Sequence, residues 1–275
     1  MESEKGMKDM KKRSFKAVLL LFVLTTLTIA LGGCSGDKKG DISSQITIGI
    51  PQDLEDSLDP HKMVTAGTRE VLFNIFEGLV KVTSDGDFVP AVASSYEETE
   101  GGKVYTFTLR DNVKFHDGST VTAEDVKFSL DKCADTSAGE PLVAAFSNID
   151  SVNILDDKTV QVVLKEADTE FLAYMTTAII PASNADPDTN PIGTGPYKFV
   201  SRSPQENFVM ERFDDYWGEP ANIKDVTLKI CANADTIVMD LEGGSIDMFA
   251  RVTSTQAAEL SDNFNVLEGT MNLVQ

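Results

Sequence analysis

The chain has 275 residues, 41% of them apolar, which is enough for one large domain or two small ones and for a sizeable core. Its formal charge of −20 at pH 7 argues against a nucleic-acid binder or a protein held electrostatically to anionic lipid, because such a surface repels both. Residues 1–33 run against that balance, with six basic and three acidic side chains, so the acidic excess belongs to residues 34–275. In the amino-terminal stretch Lys11-Lys12-Arg13 and Lys16 precede Ala17-Val18-Leu19-Leu20-Leu21-Phe22-Val23-Leu24, and the apolar character continues to Leu31. A basic segment followed by about fifteen mostly apolar residues is short for a membrane span and suits a secretory signal.

The segment closes on Leu31-Gly32-Gly33-Cys34, which resembles a lipoprotein signal: a branched residue, two small ones, then cysteine. The sulfur of Cys34 is the atom a diacylglyceryl group would alkylate, and the small neighbours admit a peptidase to the bond before it. Ser35-Gly36-Asp37-Lys38-Lys39-Gly40-Asp41 then reads as a flexible tether, so residues 1–33 are expected to be a signal and 34–44 a linker. Two or more acyl chains hold a protein stably to a bilayer, which places the mature protein at the outer face of the cytoplasmic membrane. A simple cleaved signal or an anchoring helix, with Cys34 incidental, is the other reading. An exported protein permits a disulfide between Cys133 and Cys231, but nothing in the spacing demands it, and two buried free thiols fit as well.

Gln45–Ile50 predicts a strand, the following segment through Thr68 a loop, and Arg69–Phe76 a helix. The stretch from Val104 to Cys133 is the most strongly patterned. Tyr105, Phe107 and Leu109 alternate with threonines as on a half-buried strand, Val113 and Phe115 resume the alternation, and Asp117-Gly118 suits a tight turn. Thr122 with Asp125 three residues on marks a helix start, and Ala123, Val126, Leu130 and Cys133 share one face of that helix while Phe128 falls opposite. Ile149–Leu155 and Thr159–Leu164 flank Asp156-Asp157-Lys158 as a hairpin, and Ala178–Pro181 reads as a short apolar strand. Gly193-Thr194-Gly195 is followed by proline and a strand, which removes a phosphate-loop reading. Strands over Asn207–Arg212 and Val226–Ile230 and a helix over Asp235–Leu241 ended by Gly243-Gly244 complete the series.

Three blocks, LDPHKMVTAGTREVLFNIFEGLV, YTFTLRDNVKFHDGSTVTAEDVKFS and NPIGTGPYKF, together resemble the solute-binding lipoproteins of peptide, dipeptide and nickel ABC importers, family 5 of the extracellular solute-binding proteins. The resemblance covers about residues 45–275 and implies an α/β fold: a periplasmic-binding-protein-like lobe with a mixed sheet and an inserted smaller α/β subdomain. On that likeness residues 45–75 and 190–275 are expected to form the main part and 76–189 the insertion, with the second lobe missing and the chain a fragment. The implied task is to capture a peptide or other small solute outside the cell and hand it to ABC permease subunits, with Cys34 joining the protein to the lipid bilayer. The implied ligand contacts are Met63, Val64, Thr65, Ala66 and Gly67, with Met271 and Asn272; Phe128, facing away from the core stripe of its helix, is a further candidate contact, with packing against a neighbouring subdomain as the favoured alternative. No cofactor, metal or nucleic acid is expected. Nickel competes as a ligand through His61 and Met63, but His61 and His116 belong to the family's fold-wide blocks and are expected to be structural. An enzyme is disfavoured because GxSxG, HExxH and CxxC are all absent. A lipid-anchored adhesion or scaffold protein reusing the fold stays open.

Overall fold

The computed structural model describes residues 44–55, 57–137, 139–184 and 186–267. Cys34, the expected signal and tether up to residue 43, and Met271 and Asn272 lie outside the described residues. In chain order the elements are β1 (Gln45–Ile50), α1 (Ala66–Leu72), β2 (Val80–Val82), β3 (Phe88–Pro90), β4 (Ala93–Thr99), β5 (Val104–Leu109) and α2 (Ala123–Ala134). They continue with β6 (Ile149–Asp156), β7 (Thr159–Leu164), β8 (Tyr197–Ser203), β9 (Asn207–Arg212), β10 (Asp225–Ile230), α3 (Ala234–Glu242), β11 (Met248–Phe249) and α4 (Ser254–Leu260).

β1 lies inside a five-stranded mixed sheet of order β11-β1-β10-β9-β8, parallel to both of its neighbours, while β9 and β8 run antiparallel. Ile46, Ile48 and Ile50 alternate onto one face of β1, beside Val226 and Leu228 of β10 and Phe208 and Met210 of β9. α1 packs there through Val71 and Leu72, with Ile75 and Phe76 just after it. Its helix starts three residues earlier and ends four earlier than Arg69–Phe76, because Thr65 caps it and because the chain past Leu72 must turn to cross another segment. At that crossing a Cβ on Gly193 would stand 2.1 Å from the Ile75 carbonyl oxygen, and one on Gly195 2.5 Å from that of Asn74. The two glycines therefore serve a close backbone approach.

The residues between α1 and β8 form a second, antiparallel sheet of order β4-β5-β7-β6. Tyr105, Phe107 and Leu109 of β5 and Val160, Val162 and Leu164 of β7 all point into its core. α2 covers that core with Ala123, Val126, Leu130 and Cys133. Its start is a capping box: Asp125 N–H donates to Thr122 Oγ1 at 3.3 Å, and Thr122 N–H donates to the Asp125 carboxylate at 2.9 Å. Phe128, on the other side of α2, is half-buried against the core of the first sheet, so one helix joins both packing clusters.

Two strand expectations fail. Val113 and Phe115 are buried, but that segment makes only a single bridge, Lys114 to Thr120, because the Asp117-Gly118 turn folds it straight back. Ala178–Pro181 is no strand: Ile179 N–H donates to the Glu77 carbonyl and Ile180 N–H to Ser129 Oγ, so its partners are a loop and a helix side chain instead of a ladder. Cys133 and Cys231 are both buried free thiols, and Cys231 Sγ reaches Asp240 Oδ2 at 3.4 Å.

Candidate functional site

The loop from Asp53 to Thr65 is fixed from several directions before it reaches α1. Arg202 of β8 donates to the carbonyls of Glu55 at 2.7 Å and Leu54 at 2.8 Å and reaches Asp53 Oδ1 at 3.3 Å. Lys132 of α2 lies 2.7 Å from the buried carboxylate of Asp59, and His61 Nε2 donates to the Ala178 carbonyl at 2.8 Å. Arg69 donates to the Met63 carbonyl at 3.1 Å. A loop held by so many partners presents its tip as a firm wall, and Val64 at that tip is 78% exposed.

Two open cavities flank α1. One, of about 690 Å³, is lined by Met63, Phe73, Val82, Leu142 and Tyr174 among others. The second, of about 620 Å³, runs along the isoleucine face of β1 to Gln52, Gly67, Phe249 and Arg251. This second cavity reaches the carboxyl ends of the parallel strands β1 and β11, through Gln52 and Arg251, and such ends are where open α/β sheets collect their ligands, while β10 lines it with Val226 and Leu228. It is the stronger candidate.

The expected contacts divide between these spaces. Met63 lines the first cavity, Ala66 and Gly67 the second, and Val64 and Thr65 are exposed on the ridge between them. Phe128 lines neither. The backbone N–H groups of Val64 and Thr65 already donate to the Glu55 carboxylate at 3.1 Å each. Sequence reasoning passed over Gln52, Glu55, Phe249 and Arg251. Gln52 and Arg251 each stand two residues past a parallel strand, β1 and β11, and a search for residues just past parallel strands would have reached them.

The sequence model of the bacterial extracellular solute-binding proteins, family 5, middle region, matches residues 87–272. The chain belongs to this family. It is 29% identical over 287 residues to the oligopeptide-binding protein AppA of Bacillus subtilis strain 168, covering 93% of this chain and 52% of that protein. The nickel-binding periplasmic protein of Escherichia coli K12 is 30% identical over 201 residues, covering 70% of this chain and 38% of the relative. Among solved structures, the binding protein AgaA of A. tumefaciens R10 in complex with agropinic acid superposes with a TM-score of 0.74 at 29% identity, over 80% of this chain and 46% of the other. The chain thus spans about half the length of the curated relatives it matches.

Both histidines of this family 5 chain are committed to the fold. His116 Nε2 donates to the Gly195 carbonyl at 3.0 Å while its Nδ1 accepts the Gly193 N–H at 3.3 Å, and burial pulls its pKa down to about 4. His61 is buried, and desolvation likewise lowers its pKa. Glu77 accepts hydrogen bonds from Trp217 Nε1 at 2.6 Å and Tyr216 Oη at 2.7 Å, yet its burial pushes the carboxyl upward. Arg110 and Lys81 stack on the Trp217 ring at 4.4 and 5.0 Å, which closes this network on the inserted sheet's side of the first cavity.

Proposed function

We propose that the chain is the substrate-binding component of an ABC importer, anchored by acylated Cys34 outside the cytoplasmic membrane, and that it captures oligopeptides or dipeptides for a membrane permease. The observation that carries this reading is the open cavity that runs along the face of β1 to the carboxyl ends of β1 and β11, in a chain of the family 5 solute-binding proteins. An apolar floor of Ile46, Ile48 and Ile50 suits peptide side chains, and Gln52 supplies a polar group at the rim. Ala66 and Gly67 line the site, Val64 and Thr65 stand on the fixed ridge beside it and Met63 faces the neighbouring cavity, while residues 45–75 with 190–275 form its main body around the inserted 76–189. Binding of this kind is completed when a second lobe closes over the solute. These 275 residues span about half the length of the curated relatives, so weak affinity is expected of them by themselves.

Nickel is the less favoured ligand, because both histidines serve the fold and, among the described residues, no group of three or more His, Cys, Asp or Glu stands close enough to hold a metal. Ligand-detected NMR of the 275-residue chain with short apolar peptides tests the reading. The expected result is roughly millimolar binding that Ala66→Trp abolishes by filling the cavity mouth. Absence of any binding, or binding indifferent to Ala66→Trp, overturns it. Membrane fractionation of Cys34→Ala tests the anchor, with release of the protein into the soluble fraction expected.

A further inference from the structure

We infer that Arg251 is the anion-recognising residue of the second cavity, so that the solute it takes carries a carboxylate beside an apolar body. The inference rests on the reading of that cavity as a solute site. Arg251 stands two residues past the end of β11 and adopts φ 66, the left-handed region that a side-chain-bearing residue enters only at an energetic cost. Such backbone strain persists where the surroundings impose it, and it gathers at functional sites.

Charge around the cavity leaves Arg251 a distinct role. Asp53, Glu70 and Arg251 are the charged residues that line it. Asp53 is engaged by Arg202 and by the Gln205 N–H at 2.7 Å. Arg251 pairs with Glu70 of α1, and the two side chains are 56% and 54% exposed. An ion pair that open to water is held weakly, so an entering carboxylate competes with Glu70 on near-equal terms. A guanidinium has five N–H donors in a planar fork, so it can grip the incoming carboxylate through two of them. Elsewhere the lining is largely apolar, with Ile48, Ile50, Val71 and Phe249. In a chain of net charge −20 an anionic solute is repelled at long range, and its capture requires a local cation of this kind.

The alternative is that the Arg251–Glu70 pair only clasps the loop after β11 to α1. Two probes separate these roles: an N-acetylated apolar tetrapeptide with a free carboxylate, and the same peptide as its carboxyl-terminal amide. Both are titrated by ligand-detected NMR into the full chain and into Arg251→Gln and Glu70→Gln, whose exposed side chains leave folding intact. The acid is expected to bind wild type about five- to tenfold more tightly than the amide. Arg251→Gln should bring that ratio to about one without weakening the amide, and Glu70→Gln should raise it. If wild type does not distinguish acid from amide, or if both variants weaken the two peptides alike at an unchanged ratio, the inference is overturned while the cavity's reading stands. If neither peptide binds wild type, the reading of the cavity falls and the inference with it.

Discussion

Lys132 Nζ lies 2.7 Å from Asp59 Oδ2 and so ties α2 of the inserted part to the loop that leads into the candidate site. The Asp59 side chain is 1% exposed and also accepts the His61 N–H at 3.0 Å, while Lys62 stands farther off at 3.7 Å. Replacing Lys132 by methionine leaves a buried carboxylate with its nearer cation gone. The expected loss is about 2 kcal/mol, below the range for fully buried pairs because Lys132 itself is 24% exposed. Asp59→Asn removes the charge along with its need for a partner and should cost less. Urea unfolding midpoints of the two variants check the order.

Glu77 gives a prediction of opposite character. Its carboxylate is the acceptor for both Trp217 and Tyr216, but desolvation outweighs those hydrogen bonds and disfavours the charge. Glu77→Gln keeps the shape without the buried charge: its one oxygen accepts the Trp217 N–H while its amide donates to Tyr216 Oη, so at neutral pH its stability should match or exceed that of the parent. Glu77→Ala instead strands the indole N–H and the phenol and opens a void, at a cost of about 2–4 kcal/mol. Thermal unfolding of the pair at pH 7 decides it: equal losses would mean that the charge itself holds the network.

These contacts explain what could be read in advance. β1, β5, β7 and the Thr122–Asp125 cap were legible because each is written in neighbouring residues, as period-two alternation or a three-residue spacing. The Asp59–Lys132 and Glu77–Trp217 pairs join residues 73 and 140 apart, and no local pattern announces them. The same holds for the site. Ala66 and Gly67 came from family likeness, whereas Arg251 reaches the cavity only because β11 pairs with β1 across some two hundred residues. Ala178–Pro181 misled because burial on all sides makes a crossing segment as apolar as a strand.

Acid should destabilise the protein through its two histidines. Desolvation holds the His116 imidazole neutral down to about pH 4 in the folded state, against 6.5 when solvated, and His61 shifts in the same direction. The unfolded chain therefore protonates first as pH falls. Stability from these groups is full above pH 6.5 and is lost progressively toward pH 4, with up to about 3 kcal/mol from His116. Glu77, whose carboxyl is pushed upward, opposes part of this loss, since its contribution fades as pH rises through its folded value. Melting temperatures should fall between about pH 7 and pH 4.5, and His116→Gln should flatten that slope. An unchanged slope in the variant would remove His116 from the account.

Glu55 holds the wall of the candidate site by accepting the N–H groups of Val64 and Thr65, and its own N–H donates to Thr68 Oγ1 at 3.1 Å. Both backbone donors lie at the exposed tip, where water would otherwise take them and let the loop sample other shapes. Glu55→Ala removes the acceptor while Arg202 keeps its hold on the Glu55 carbonyl, so the rest of the loop stays in place. Amide exchange at Val64 and Thr65 should accelerate at least about tenfold in that variant, which corresponds to about 1.4 kcal/mol of lost protection, while exchange in β1 and β10 stays as it was. If the wall receives solute, peptide binding should weaken together with that local loosening. Faster exchange with undiminished binding would show that the solute does not rest on this loop, and would leave the floor of β1 and the residues after β11 to carry recognition.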